Sequence, residues 1–175
     1  MKSILLLLTC LISLNLISQQ AKNQTDSLNI LFSFPCVAFD GEYGIERDDD
    51  NYYTTSWTSD SIAKYDLNGN LIETFIIPGV SKIRDLAYDG EFFYGGTNDT
   101  ILYVMDFDTK TLIVPVGMPF KIQSIAYHED DWVFWVGEEG VSTLYCTDVS
   151  GAHLGYVSID EYDSINITGI TIEDF

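Results

Sequence analysis

The sequence predicts an all-β chain: a partial β-propeller behind an N-terminal signal peptide. Two observations carry this reading. First, similar stretches recur about every 40 residues. Second, each stretch divides into four short extended runs separated by turn-forming residues. Four strands in about 40 residues, repeated, is the signature of a propeller blade.

The period is fixed by two sets of markers. An apolar residue opens each unit, at Ile45, Leu86 and Ile125. An Asp precedes a turn in each, at Asp66, Asp106 and Asp148. The units are expected at residues 44–83, 84–122 and 123–160, and the opening strand of a fourth at 161–175, with Ile170 as its marker. Val37-Ala38-Phe39-Asp40-Gly41 resembles Leu86-Ala87-Tyr88-Asp89-Gly90, but Ile45 keeps the distance to the turn Asp more constant and is preferred as the first opening. Within the third unit the runs are SIAY, WVFWVG, STLYCTD and HLGYVSI. Val, Ile, Tyr, Phe, Trp and Thr dominate them, as strands require. The third runs also alternate, placing Ala63/Tyr65/Leu67, Tyr103/Met105/Phe107 and Tyr145/Thr147/Val149 each on one face.

Ahead of the repeats, Lys2 precedes an apolar run from Ile4 to Ile17, followed by Ser18, Gln19 and Gln20. This is the pattern of a secretory signal, assigned to residues 1–18, with a lead-in at 19–43 that a strand of a degenerate earlier blade would fit. The run is too short to span a bilayer comfortably, so export to the medium or the cell surface is expected, without a transmembrane segment. Cys36 and Cys146 are the cysteines left after the leader; they make no framework and no zinc pattern. The formal charge is −19, which sets the chain against nucleic acid and anionic membranes.

The quoted stretches GIERDDDNYYTTSW, KYDLNGNLIETFIIPGV, IRDLAYDGEFFYGG, MDF, IAY with FWVG, and ITGI resemble the propeller-like repeats of secreted bacterial proteins associated with type IX secretion. That resemblance covers about residues 44–175 and implies a secreted propeller fold; it supplies no catalytic residues. Such proteins are commonly longer and often end in a sorting domain, which leads to the expectation that this chain is a fragment. More distantly, the units resemble virginiamycin-lyase, glutaminyl-cyclase and gluconolactonase propellers.

Polar residues that invite a chemical role have a plainer one at hand. Asp66, Asp106 and Asp148 are read as turn residues. Asp48-Asp49-Asp50 and Glu129-Asp130-Asp131 lack the alternate-acid pattern of a calcium loop and are read as solvated loops. His128 and His153 stand in turns without a nucleophile motif. Trp57, Trp132 and Trp135 are placed in second strands and assigned to blade packing, although they would also stack on sugars. Asp60-Ser61-Ile62 and Asp99-Thr100-Ile101, with two similar triplets, resemble a bacterial O-glycosylation signal. No catalytic, cofactor or metal residue is therefore assigned. The expected function is binding or surface interaction with a protein or glycan partner, with self-association through open end blades. An incomplete propeller enzyme of the lyase, cyclase or lactonase type is the alternative.

Overall fold

A computed structural model describes residues 33–159 and 169–170. The expected leader and most of the expected fourth opening lie outside the described residues.

Among the described residues twelve strands follow in order: β1 (Glu42–Arg47), β2 (Asn51–Ser56), β3 (Ile62–Asp66), β4 (Leu71–Phe75), β5 (Asp85–Tyr88), β6 (Phe93–Gly96), β7 (Ile101–Asp106), β8 (Thr111–Gly117), β9 (Ser124–His128), β10 (Val133–Gly137), β11 (Thr143–Asp148) and β12 (His153–Ser158). They form three four-stranded sheets, β1-β2-β3-β4, β5-β6-β7-β8 and β9-β10-β11-β12, and every pairing is antiparallel. The described residues contain no helix, and none long and apolar enough to cross a membrane. The described residues form a partial β-propeller of three blades.

The repeat extends to strand pairing. Ile45, Leu86 and Ile125 each lie on the first strand of a separate sheet and pair with Thr54, Gly95 and Val136 on the second. The first strands are neighbours: β5 lies beside both β1 and β9. Apolar side chains on both faces of the middle blade have a use, since one face packs on each neighbour. Between the first two blades, Phe107 stacks on Phe93 at 4.0 Å and takes Tyr53 and Phe75 edge-on at 5.1 and 5.4 Å. Between the second and third, Phe134 meets Tyr94 at 4.6 Å and Phe120 stacks on Tyr145 at 4.4 Å. The outer strands β4, β8 and β12 are largely exposed.

In the described part of the lead-in, residues 33–43, Glu42 and Tyr43 already open β1, and the stretch before them, 34–41, holds no strand. It lies as an irregular strap over the first blade. Phe34 packs on Tyr52 and Tyr65, with ring centroids 5.5 and 5.3 Å away. Glu42 fastens the strap: it accepts hydrogen bonds from the Ala38 amide at 2.9 Å, from the Tyr65 hydroxyl at 2.8 Å, and from the Thr54 hydroxyl. Gly69 makes room for it, because a side chain there would start 2.2 Å from the Phe34 Cβ.

Candidate functional site

The site is built where the inner strands crowd together. Gly44 sits one residue before Ile45, in the place that Asp85 and Ser124 hold before Leu86 and Ile125. A side chain at Gly44 would start only 2.6 Å from the Arg84 carbonyl oxygen and from the Asp85 Cα, so glycine is what lets β1 close on β5. At that junction a cleft of about 380 Å³ opens, lined by Tyr43, Gly44, Ile45 and Glu46 of β1, by Asp85 of β5, and by Gly169 and Ile170.

Two carboxyl groups line the cleft. Asp85 is only 6% exposed, and its Oδ2 accepts the Ile125 amide hydrogen bond at 3.0 Å, tying β5 to β9. Burial pushes this carboxyl from an ordinary 3.8 up to about 7; the Glu46 charge adds to the rise, while the amides of Ile125 and Leu86 oppose it. Burial also raises Glu46, against the Arg47 amide and charge beside it. Arg84 adjoins Asp85 in sequence, yet its guanidinium serves elsewhere. It donates to the Gln123 side-chain carbonyl at 2.6 Å, lies 3.7 Å from Glu139 and rests over the Trp57 ring at 5.3 Å. Behind Gly44, where β1 and β5 are packed together and outside the cleft lining, the Thr55 hydroxyl is buried without a hydrogen-bond partner, 2.9 Å from where a Gly44 side chain would start.

None of the residues singled out in the sequence lines this cleft, except Ile45 and Ile170, which entered as repeat markers. The three regular Asp residues close turns. Asp66 accepts the amides of Asn68 and Asn70, Asp106 that of Thr109, and Asp148 those of Ser150 and Ala152. The Asn70 side-chain amide donating to Asp66, the Thr109 backbone amide donating to Asp106 and the Ser150 hydroxyl donating to Asp148 come first among the bonds that hold all three carboxyls below their usual range. Asp48 likewise accepts the amides of Asp50 and Asn51 and, at 2.8 Å, the Tyr53 hydroxyl; Asp89 repeats the arrangement with Glu91, Phe92 and Tyr94. The recurring Asp with a Tyr five residues later was visible in the sequence and marks the first turn of two blades.

The tryptophans require a correction. Only Trp135 lies in a strand; Trp57 follows β2 and is 47% exposed, and Trp132 precedes β10 and is 70% exposed. Trp132 has φ +57°, a left-handed residue closing the acidic reversal between His128 and Val133. His128 lies 3.2 Å from Asp131, and His153 meets Phe120 edge-on. Cys36 and Cys146 are free thiols, both raised by burial first and by nearby carboxylates second.

No family model matches the chain, and no curated protein matches it. Solved structures do. Glutaminyl cyclase of Myxococcus xanthus superposes with a TM-score of 0.62 at 16% identity, over 74% of this chain and 62% of the cyclase. Hydrazine synthase of Kuenenia stuttgartiensis superposes with a TM-score of 0.55 at 13% identity, over 81% of this chain and 41% of that one. The chain thus spans less than two thirds of either neighbour's length, and at these identities the likeness concerns the propeller fold.

Proposed function

We propose that this chain is an exported, acidic binding module whose ligand engages the cleft on the inner strands. One observation carries the reading: a buried Asp85 carboxyl and Glu46 face a cleft whose remaining walls are Tyr43, Ile45 and Ile170, with the guanidinium just before β5 turned to Gln123 and Glu139. Groups left with unspent hydrogen-bonding and electrostatic capacity, set in a concave and partly apolar site, are what recognition uses. Export is supported by the signal-like leader and by the resemblance of the repeats to those of secreted bacterial proteins. A protein terminus or a glycan end would reach such a cleft. The enzyme alternative draws on the likeness to the Myxococcus cyclase, which extends to fold and not to any matched catalytic residue.

Amide spectra of the full chain, recorded while a chemically diverse fragment set is added, test the reading. Saturable shifts at Tyr43–Glu46 and Asp85, weakened by Tyr43→Ala, are expected. Binding confined to other surfaces, or unaffected by Tyr43→Ala, would refute the cleft as the ligand site.

A further inference from the structure

We propose that the strap is an end cap: it stands in for a preceding blade on the first blade and keeps that face from taking the third blade of a second copy. The pairing register shows the substitution. Tyr52 and Tyr65 pair in the first blade where Phe93 and Met105 pair in the second. Phe93 and Met105 are buried with Tyr53, Ile62 and Phe75 of the blade before them. Among the described residues no sheet precedes the first blade, yet Tyr65 is as fully buried as Met105, both at 0% exposure. Phe34 covers it: its ring lies against Tyr52 and Tyr65 as Tyr53 lies against Phe93.

A second sign is independent of those rings. Glu42 stands three residues before Ile45, where the buried Ile83 and Ile122 stand three before Leu86 and Ile125. Thr54 holds the place of Gly95 and Val136. The later blades are apolar at these places, whereas the first carries a carboxylate and a hydroxyl. Glu42 accepts from Thr54, from Tyr65 and from the strap's Ala38 amide, and the Val37 amide donates to the Tyr65 hydroxyl at 3.0 Å. The strands of a packed blade spend their amides on their own ladder, while an irregular segment has amides to give. This face is therefore built to hold a strap.

The partner excluded by the cap follows from the interface the chain already uses twice. Ala87, Tyr94 and Val104 pair in a row on the second blade and pack on the third. Ala126, Trp135 and Cys146 form the same row on the third blade, with Trp135 and Cys146 left half-buried. By the repeat, that row on a second copy fits the face the strap covers. Such a head-to-tail contact runs on into longer chains unless it closes. Two copies of three blades would make six, within the about 4–8 of closed propellers. The repeats lead to the expectation of two open ends; the strap leaves one.

Light scattering on the full chain and its variants tests the cap, over a roughly hundredfold range of concentration and in salt that screens the −19 charge. Phe34→Asp places a charge against Tyr52 and Tyr65 without altering a strand residue. It should free the strap, read as faster proteolysis before Glu42, and its mass should about double or more with concentration while that of the unaltered chain stays level. Leu144→Asp adds a charge two residues from Cys146, on the same side of β11, and should return F34D to the monomer mass. Tyr65→Phe keeps the ring and removes the hydroxyl that the strap's amides reach. It should associate in the same way but more weakly, and it reads the cap even where Phe34→Asp fails to fold. A freed strap with an unchanged mass would overturn the proposal. So would association that Leu144→Asp leaves intact, an unaltered chain that associates as strongly as F34D, or a strap still protected in both variants.

Discussion

Replacing Asp85 by asparagine should change how stability depends on pH, and the sign can be worked out from the structure. In the folded chain the buried carboxyl titrates at about 7, against 3.8 when exposed. Between those values the folded state holds a proton that the unfolded state has released. Stability from this group is therefore complete below pH 3.8 and falls as pH rises through 7, after which it is level. At about 1.36 kcal/mol per pH unit, the fall amounts to about 4 kcal/mol, an upper value because water in the open cleft screens the charge. The carboxamide introduced by D85N would keep a carbonyl oxygen for the Ile125 amide, whose bond to Asp85 is 3.0 Å, and would carry no charge to bury. Urea unfolding of both chains from pH 4 to 9, followed by circular dichroism, reads the difference. Near pH 4 the two should match within about 1 kcal/mol, the worth of one hydrogen bond. Near pH 8 D85N should be the more stable by up to about 4 kcal/mol. Apart from Glu46, whose charge is coupled to Asp85, the acidic surface titrates alike in both chains, so subtraction isolates Asp85 together with that coupling. A difference that does not vary with pH, or that favours the native chain at pH 8, would refute the reasoning.

Phe107→Ala empties the centre of the aromatic cluster between the first two blades and should cost about 3–5 kcal/mol in urea unfolding. Tyr53→Phe removes only the bond to Asp48 and should cost about 1 kcal/mol, with the near-ultraviolet spectrum otherwise retained. Gly69→Ala meets both a backbone φ of +80° and the Phe34 side chain, and should cost at least about 1–2 kcal/mol; strap release would appear as faster proteolysis before Glu42. Exported protein should begin between Ser18 and Ala21 by N-terminal sequencing, and finding Met1 on it would exclude cleavage.

The blades were legible in the sequence because their local chemistry repeats. An Asp whose carboxylate closes the third turn, and β-branched or aromatic runs on either side, recur regardless of what the blade packs against. The tryptophans were misplaced for the same reason. Aromatic enrichment marks strands on average, but the strands end at Ser56 and begin at Val133, leaving Trp57 and Trp132 on loops. Glu46 and Asp85 were not legible. Each reads as an ordinary acid at the end of a short strand. Their burial arises from the approach of β1 to β5 at Gly44, a contact between residues about 40 apart that no local pattern announces.

The position of the cleft follows from this difference between local repeat and tertiary context. Ile45, Leu86 and Ile125 are equivalent in sequence and in strand pairing, yet Leu86 and Ile125 are 2% and 0% exposed while Ile45 is 52% exposed. Leu86 packs with the first blade's Tyr53 and Ile62, and Ile125 with the second blade's Tyr94 and Leu102. Among the described residues no sheet covers the corresponding face of β1. The strap reaches Tyr52, Tyr65 and Gly69 through Phe34, none of which lines the cleft. The inner end of the first blade is therefore left as concave, partly apolar surface where the later blades are filled, and Gly169 and Ile170 complete its lining. Substituting Glu46 should accordingly alter the proposed ligand recognition without disturbing the Phe107 and Phe134 clusters, which lie between the blades and not in the cleft, whereas Asp85 also holds the Ile125 amide and so the second of them.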